Sequence, residues 1–314
     1  MSAPYVVNVS SVQDFMQCRY RWACKWVLNR VPRTEGDALF LGKVIHSIFE
    51  SYFRDGVPLQ EVALVHRMRI DGALALGDVP AWDRPAWERA GQFLADMHDA
   101  WPLWRDVYPM GKTLEVERPF EITFAGMPGV LFRGRPDRVA EMDGYAWHVQ
   151  NRGLSAQMNF GTYVRLAKRH FHEHLYAEYI DREYAALGGC GGTVFNLLRK
   201  LKYRTKVTKK KPLGEVRTAA EMFYQHPMSI RLDSDNHRRV MDDLFKHVRE
   251  MRLTEARVLH EKWMPAPNDK LNGGYSGNSE DPYFRLLIGE IRLDDDQWFK
   301  AREDTYSVAD TGTE

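Results

Sequence analysis

Cysteine is scarce in this chain of 314 residues, which contains Cys18, Cys24 and Cys190 and no other cysteine. An odd set of three thiols does not make the framework of paired disulfides that staples small secreted domains. Such sparse cysteine usage is typical of a reducing compartment. The sequence therefore predicts a cytoplasmic protein.

Long apolar runs are also missing from the sequence. No stretch approaches the roughly 18 to 20 apolar residues that are needed to cross a bilayer. Residues 1–15 lack the basic segment followed by an apolar segment that defines a signal peptide. We therefore expect no membrane association and no signal peptide.

A strong excess of one sign of charge is missing as well, since 44 Lys and Arg residues stand against 43 Asp and Glu residues, giving a net charge of +1. This balance excludes a histone-like protein, so any binding of nucleic acid must depend on a local cluster of charge. Apolar residues make up 44% of the chain and aromatic residues 12%, which is enough to build a core and excludes global disorder.

Hydrophobic periodicity and turn residues predict a mixture of helices and strands. Helices are predicted over Val12–Leu28, Phe40–Phe53, Arg84–Trp101, Tyr163–Leu187, Ala219–Tyr224 and Asn236–His260. Strands are predicted over Leu114–Phe124, Val130–Ala140, Tyr145–Gln150 and Thr193–Leu198. Antiparallel strands followed by a crossover helix and a further strand define an α/β fold with a mixed sheet.

The same patterns divide the chain into four regions. We expect a helical region over residues 1–110, a core of sheet and helix over 111–200, a basic loop with C-terminal helices over 201–304, and a disordered tail over 305–314. Within the third region, the segment Pro265–Pro282 is rich in Gly, Asn, Ser and Pro, which predicts an irregular loop.

Candidate chemistry is concentrated on the second and third predicted strands. Asp137 lies in the second strand, and Gln150 and Arg152 lie two residues apart at the end of the third, so both point to one face. A carboxylate that faces polar groups on a neighbouring strand is suited to hold Mg²⁺ beside a phosphate. The alternative interpretation is a surface Asp opposite a surface Arg.

A run of basic residues follows the last predicted core strand. It consists of Arg199, Lys200, Lys202, Arg204, Lys206, Lys209, Lys210 and Lys211, with no acidic residue between them. Such a run can bind a phosphate backbone because each neutralised phosphate releases a counterion. The alternative is a solvated loop.

The ordered set of motifs resembles the RecB-like branch of the PD-(D/E)XK nucleases, which includes CRISPR-associated adaptation exonucleases and phage exonucleases. The motifs are Gly42-x-x-x-His46-x-x-x-Glu50, then Gly134-x-Pro136-Asp137, then a strand that ends in the triplet Gln150-Asn151-Arg152. An opening segment of Val9, Ser10 and Ser11, followed by Phe15 and Cys18, is similar to the entry helix of that branch. The resemblance spans residues 8–200 and implies a restriction-endonuclease-like αβββαβ core with helical additions.

The resemblance implies roles for individual residues. His46, Asp137, Gln150 and the backbone carbonyl of Asn151 correspond to ligands of Mg²⁺ or Mn²⁺. Asp137, Gln150 and Arg152 correspond to the catalytic motif, with Arg152 where the family has lysine. The supporting positions are Glu50, Glu117, and the pair His172 and Tyr176, which match the family's Gln-x-x-x-Tyr motif with its Gln changed.

Within the catalytic motif, the chain departs from the family pattern at two positions. Gln150 offers a neutral oxygen where the family has a carboxylate, and this weakens binding of Mg²⁺. Arg152 cannot act as a general base because an arginine guanidinium keeps its proton in proteins, but it can stabilise a charged transition state.

A third departure concerns the iron–sulfur cluster that many relatives bind through four cysteines. The segment Asn272–Gly289 resembles the cluster-binding tail of the family but contains no cysteine. Because three cysteines in one chain cannot complete a four-thiolate site, we expect no iron–sulfur cluster.

These observations favour a metal-dependent DNA nuclease, most simply an exonuclease that acts on ends or single strands in recombination, repair or phage DNA processing. The alternative is a weakened or inactive nuclease fold that binds DNA or a protein partner. An accidental resemblance is the third alternative, which the fold itself decides.

Overall fold

The computed structural model describes residues 3–32, 37–79, 84–105, 111–155, 159–200 and 223–265, together with 283, 286, 292–294 and 299–302. Within these ranges the strands are β1 (Tyr5–Asn8), β2 (Arg30–Pro32), β3 (Lys112–Val116), β4 (Phe120–Ile122), β5 (Val130–Gly134), β6 (Arg138–Met142), β7 (Tyr145–Ser155), β8 (Cys190–Lys200), β9 (Phe223–Ser229) and β10 (Phe299–Ala301).

The helices of the described residues are α1 (Val9–Gln17), α2 (Arg19–Trp22), α3 (Asp37–Asp55), α4 (Leu59–Leu76), α5 (Arg84–Arg105), α6 (Phe160–Ala167), α7 (Phe171–Glu183) and α8 (Asp235–Glu261). A π-helical segment (Ala23–Val27) follows α2, and a 3₁₀ turn (Ala185–Leu187) follows α7. The chain divides into two compact units, which are described separately below.

The larger unit consists of residues 36–118 and 136–237. Among its described residues, a five-stranded sheet has the order β3-β6-β7-β8-β9. The pair β7 and β8 is parallel, and the other neighbouring pairs are antiparallel. The parallel pair needs a crossover connection, which α6 and α7 supply, so the mixed sheet predicted from the sequence is confirmed.

Helices cover this sheet through two apolar clusters. Helices α3, α4 and α5 bury Ile45, Ile48, Phe49, Leu94 and other apolar side chains together with Leu198 of β8. Helices α6 and α7 contribute to a second cluster with other residues of β8, and its members are Tyr163, Val164, Ala167, Ala177, Phe195, Leu197, Met228 and Ile230. Alternation along β8 therefore sends neighbouring side chains into different clusters.

The smaller unit consists of residues 1–35, 119–135 and 238–314. In its described part, β1, β5 and β4 form a sheet in that order, with β1 and β5 parallel, and β2 pairs with β10. Trp22 is buried and donates a hydrogen bond from Nε1 to Ser11 Oγ over 3.0 Å. Phe15 packs edge-on against the Trp22 ring, which fixes the entry helix α1 against α2.

Several predicted elements prove to be two elements each. The predicted strand Leu114–Phe124 is β3 and β4, and Val130–Ala140 is β5 and β6. Pro119 and Pro136 lie at these breaks, and proline cannot donate a ladder hydrogen bond. The helix predicted over Tyr163–Leu187 is α6 and α7.

Other predictions of elements need correction or fall outside the described residues. The first predicted helix, Val12–Leu28, is α1, α2 and the π-helical segment, and α4, β1 and β9 were not predicted. The helix predicted over Ala219–Tyr224 is wrong at its end, where Phe223 and Tyr224 belong to β9. Residues 219–222, most of the predicted loop 265–282 and the tail 305–314 lie outside the described residues.

Gly192 lies where β8 passes close to β9. Its φ is +135°, and a Cβ atom there would overlap the Met228 carbonyl oxygen. We expect Gly192→Ala to lower the free energy of unfolding by about 2–4 kcal/mol, measured by denaturant titration. Gly144 is the matched control, because its φ is +78° but nothing lies within 4 Å of the added Cβ. Gly144→Ala should lose only about 1 kcal/mol, and equal losses for both variants would contradict the steric account.

Candidate metal centre and active site

In the larger unit, α3, the end of β3 and the start of β6 lie close together and bring two carboxylates and an imidazole into one group. His46 lies within α3, Glu117 follows the last residue of β3, and Asp137 directly precedes β6. Glu117 has a left-handed backbone with φ of 49°, and its amide donates to the Asp137 carbonyl oxygen over 3.1 Å. This conformation is unfavourable for a residue with a Cβ, and it turns the chain sharply at the end of β3.

The three side chains form a compact group. His46 Nδ1 lies 3.4 Å from Glu117 Oε1 and 3.5 Å from Asp137 Oδ1. One ligand atom from each residue can be chosen so that all lie within 4.8 Å of one another. Carboxylate oxygens and an imidazole nitrogen suit Mn²⁺ and, with more oxygens, Mg²⁺. Among the described residues, this is the one group of three such side chains that could hold a metal ion.

Asp137 is held from its other side by β7. The Asn151 amide donates to Asp137 Oδ2 over 2.8 Å. Such a hydrogen bond to a carboxylate is charge-assisted and therefore strong. It fixes Oδ2 on the strand and leaves Oδ1 directed at His46.

Arg138, the residue after Asp137, anchors this point of the sheet. Its guanidinium is buried, donates to Thr113 Oγ1 and to the Gly111 carbonyl oxygen over 3.0 Å each, and lies 4.0 Å from the centre of the Phe53 ring. Burial lowers the pKa of Arg138 to about 10. The side chain remains charged at neutral pH and ties β6 to β3 and α3.

Gln150 and Arg152 contact α6. Tyr163 donates a hydrogen bond from its hydroxyl to Gln150 Oε1 over 2.9 Å, and the Arg152 guanidinium lies 5.6 Å from the centre of the Tyr163 ring. The oxygen that sequence analysis assigned to the metal therefore accepts a hydrogen bond from a tyrosine. Sequence reasoning missed Tyr163, because only the local fold shows that α6 returns to this part of β7.

The side chain of Asn151 belongs to a row of three amides, of which Asn151 and Asn196 are buried. Asn196 Nδ2 donates to Asn151 Oδ1 over 3.1 Å, and Gln225 Nε2 donates to Asn196 Oδ1 over 2.8 Å. These residues are register partners on β7, β8 and β9. The row fixes the strands beside the site, and the proposed role of the Asn151 carbonyl as a ligand stays a prediction.

Glu50 pairs with an arginine of its own helix. Its Oε1 lies 2.6 Å from Arg54 Nη1, and Arg54 Nη2 donates to the Val116 carbonyl oxygen over 3.1 Å. Glu50 is not in the metal-binding group found among the described residues. It lies near the site through Arg54, which contacts the end of β3 next to Glu117.

Helix α7 carries His172 and Tyr176 beside a buried carboxylate, Glu173. Glu173 Oε2 accepts from Thr193 Oγ1 over 2.8 Å and lies 3.3 Å from His148 Nδ1, and the His148 ring meets the Tyr176 ring edge-on. Burial raises the pKa of Glu173, but hydrogen bonds from His148 and Thr193 outweigh it and hold the pKa below its ordinary value. Burial lowers the pKa of His172 to about 4, so His172 is neutral at pH 7.

The remaining predicted residues fall at or beyond the limits of the described chain. Arg199 and Lys200 are the last residues of β8. Lys202, Arg204, Lys206, Lys209, Lys210 and Lys211 lie outside the described residues. His174 of α7 is buried, and its Nδ1 atom lies 3.0 Å from the Nδ1 atom of His237.

Within the described part of the larger unit, a mixed sheet flanked by helices brings two carboxylates and a helical histidine together, which defines an α/β fold with a candidate metal centre. The model of the PD-(D/E)XK nuclease superfamily matches residues 6–270, which is more than half of the chain. The chain therefore belongs to the PD-(D/E)XK nuclease superfamily. The fold class and the superfamily expected from the sequence are confirmed.

Two further comparisons add little to this assignment. A solved structure from Eubacterium rectale, provisionally named an exonuclease, covers 92% of this chain and 94% of its own chain, at 12% sequence identity and a TM-score of 0.44. No curated protein matches the chain. Within the described residues, no helix has both the length and the hydropathy that a membrane span requires.

Proposed function

We propose that the protein is a deoxyribonuclease that depends on a divalent metal ion bound by His46, Glu117 and Asp137. The single observation that carries the proposal is the convergence of these side chains, whose ligand atoms lie within 4.8 Å of one another. A divalent cation bound there supplies positive charge to a scissile phosphate and lowers the pKa of water. Membership in a nuclease superfamily supports DNA as the substrate.

Glu117 provides a second carboxylate that Gln150 cannot provide. Two carboxylates attract a hard cation more strongly than one carboxylate and a neutral amide do. The Glu117 side chain is only 8% exposed and Asp137 15% exposed, which strengthens their interaction with a cation relative to open water. In this proposal the second carboxylate of the site comes from Glu117, which follows β3, and not from position 150 in β7.

Arg152 has a different role from the lysine of the family. An arginine side chain is a cation with several hydrogen-bond donors, so Arg152 can bind phosphate oxygens and stabilise charge in the transition state, but it cannot serve as a general acid or base. We therefore propose weak cleavage that Mn²⁺ supports better than Mg²⁺, because an imidazole ligand favours the softer ion.

The proposed activity is tested by incubating the purified chain with linear duplex, circular duplex and single-stranded DNA, each with Mg²⁺ and with Mn²⁺. Loss of the linear substrates with the circle left intact supports an exonuclease in DNA processing, recombination or repair, including phage DNA. Nicking of the circle supports an endonuclease. Binding without cleavage under all conditions supports the alternative, a weakened nuclease fold that binds DNA or a protein partner.

DNA binding is expected to depend on the basic run. Changing Lys209, Lys210 and Lys211 together to Ala should weaken binding and flatten the plot of log affinity against log salt by about two to three units, if each lysine contacts one phosphate. Fluorescence anisotropy over a range of salt concentrations measures both quantities. Unchanged affinity and slope would mean that the run is a solvated loop.

A further inference from the structure

Tyr163 contacts Gln150 and Arg152, the two residues of the catalytic motif at which the chain departs from its family. Asn159 Oδ1 accepts from the Thr162 amide over 3.2 Å, so α6 begins at Phe160 and carries Tyr163 in its first turns. The Tyr163 ring is 5% exposed and packs edge-on against Phe195, with ring centres 5.6 Å apart. The ring is therefore fixed in place before any ligand binds.

The hydrogen bond from the Tyr163 hydroxyl fixes the orientation of the Gln150 side-chain amide. The hydroxyl donates to Oε1 over 2.9 Å, and burial raises the pKa of Tyr163 to about 12, against the lowering effect of the Arg152 charge. The hydroxyl therefore keeps its proton at neutral pH and remains a donor. Since the amide group is planar, Nε2 must then point away from Tyr163. An amide NH₂ is a pure donor, which suits an anion and cannot bind a cation.

Arg152 points to the same side of β7 as Gln150, and it also contacts Tyr163. The two residues alternate with Asn151 on β7, so their side chains lie on one face of the strand. The Arg152 guanidinium lies against the Tyr163 ring, and a cation at a ring face is attracted to it without losing its hydrogen-bond donors. One tyrosine thus positions an amide donor and a guanidinium donor.

We propose that Tyr163 is a positioning residue that, by holding Gln150 and Arg152, makes this pair a donor surface for the phosphate oxygens of DNA. The inference rests on the proposed function for its substrate class. It gives Gln150 a role opposite to the one implied by the family motif, since Gln150 then binds the phosphate and not the metal. His46, Glu117 and Asp137 remain the metal-binding group.

The inference is tested with Tyr163→Phe, which keeps the ring and removes the hydroxyl. Affinity for a fluorescein-labelled oligonucleotide is measured by anisotropy in Ca²⁺, and Mn²⁺ affinity by calorimetry, both on the full chain. Tyr163→Phe should weaken DNA binding about 5- to 10-fold, as expected for loss of one aligned hydrogen bond, and change Mn²⁺ affinity less than about 2-fold.

A matched control is Tyr184→Phe, which loses a hydroxyl hydrogen bond of 2.9 Å to Glu115 and makes no contact with the motif in the described structure. It should leave both affinities unchanged. Gln150→Met is the second variant, because it keeps the length of the side chain and cannot donate. It should weaken DNA binding as Tyr163→Phe does, leave Mn²⁺ affinity unchanged, and show a less than additive loss when the two changes are combined.

Two results would overturn the inference while leaving the proposed function intact. One is a Tyr163→Phe variant that binds DNA like the wild type while Gln150→Met and Arg152→Ala bind weakly. The other is a Gln150→Met variant that loses Mn²⁺ affinity about 10-fold or more, which would make Gln150 a metal ligand. Failure of the proposed function gives another pattern, in which the wild type neither binds Mn²⁺ nor cleaves DNA. If DNA binding still depends on Tyr163 in that case, the inference stands, and a wild type that does not bind DNA contradicts both.

Discussion

Asp137→Ala is expected to reduce DNA cleavage by about 10³-fold or more and to remove measurable Mn²⁺ binding. Asp137 supplies one of two carboxylates in the metal-binding group, and charge stabilisation by a metal ion contributes several kcal/mol, where each 1.36 kcal/mol is about tenfold in rate. Calorimetry with Mn²⁺ and single-turnover cleavage of linear DNA measure the two effects independently.

Asp137→Asn separates the loss of charge from a loss of structure. Its amide oxygen can still accept the hydrogen bond that the Asn151 amide donates to Asp137 Oδ2, so β7 should keep its position. We expect Asp137→Asn to lose metal binding and cleavage nearly as fully as Asp137→Ala, with a smaller loss of stability. Glu141→Gln is the matched control on β6, where Glu141 pairs with Lys112 near the surface, and it should cleave like the wild type.

If Asp137→Ala retains Mn²⁺ binding and cleavage, the metal lies elsewhere and the proposed centre is wrong. If the wild type binds DNA without cleaving it, and Asp137→Ala binds DNA equally well, the chain is a DNA-binding relic of a nuclease. These outcomes distinguish a metal-dependent nuclease from a protein that only binds DNA, because only the nuclease requires the Asp137 carboxylate for cleavage.

The resemblance to a family motif brought His46 and Asp137 into one candidate site, and the structure places His46 Nδ1 and Asp137 Oδ1 3.5 Å apart. Asp137 follows Pro136 at the break between two strands. His46 follows the buried Ile45 on a helix whose bounds were predicted within three residues at each end, with α3 running over Asp37–Asp55. Both positions depend on short-range patterns of the kind that periodicity and proline reveal.

The sequence predicted Glu117 only as a supporting acid, and its place in the group of three side chains could not be predicted in the same way. Alternation over Leu114–Phe124 reads as one strand, and in a continuous strand Glu117 would simply be one more alternating side chain. Its left-handed φ of 49° turns the carboxylate toward His46, and a left-handed residue that is not glycine leaves no clear mark in sequence. The partner of Gln150 was hidden for a similar reason, since the predicted helix Tyr163–Leu187 concealed the separate helix α6 that carries Tyr163.

The replacement of a carboxylate and a lysine by Gln150 and Arg152 is linked to the fold around them. Tyr163 offers a hydroxyl to Gln150 and a ring face to Arg152, so both replaced side chains have partners in α6. Glu117 adds a carboxylate to the group that could hold a metal ion.

The double change Gln150→Glu with Arg152→Lys is expected to raise cleavage by about 10- to 100-fold. The first change adds a negative charge on β7 next to Asn151, whose amide holds Asp137, and this should raise occupancy by Mg²⁺. It also removes the amide donor that we propose for phosphate, so DNA affinity should fall. The second adds a side chain that can exchange a proton, a role worth roughly 10²- to 10⁴-fold when a general acid or base is well placed. The expected gain is smaller because Lys lacks the forked geometry with which Arg152 can bind phosphate.

The single changes show which of these effects dominates. Gln150→Glu alone should increase Mn²⁺ affinity and bring the rate with Mg²⁺ closer to the rate with Mn²⁺, and Tyr163 can continue to donate to the new carboxylate. Arg152→Lys alone should weaken DNA binding, because the guanidinium fork and its contact with the Tyr163 ring are lost. Single-turnover rates with each ion, measured beside oligonucleotide affinity in Ca²⁺, distinguish these effects. A double variant that cleaves no faster than the wild type would show that residues other than 150 and 152 limit the rate of cleavage. Gln150 and Arg152, held by Tyr163, would then contribute to DNA binding and not to the chemical step.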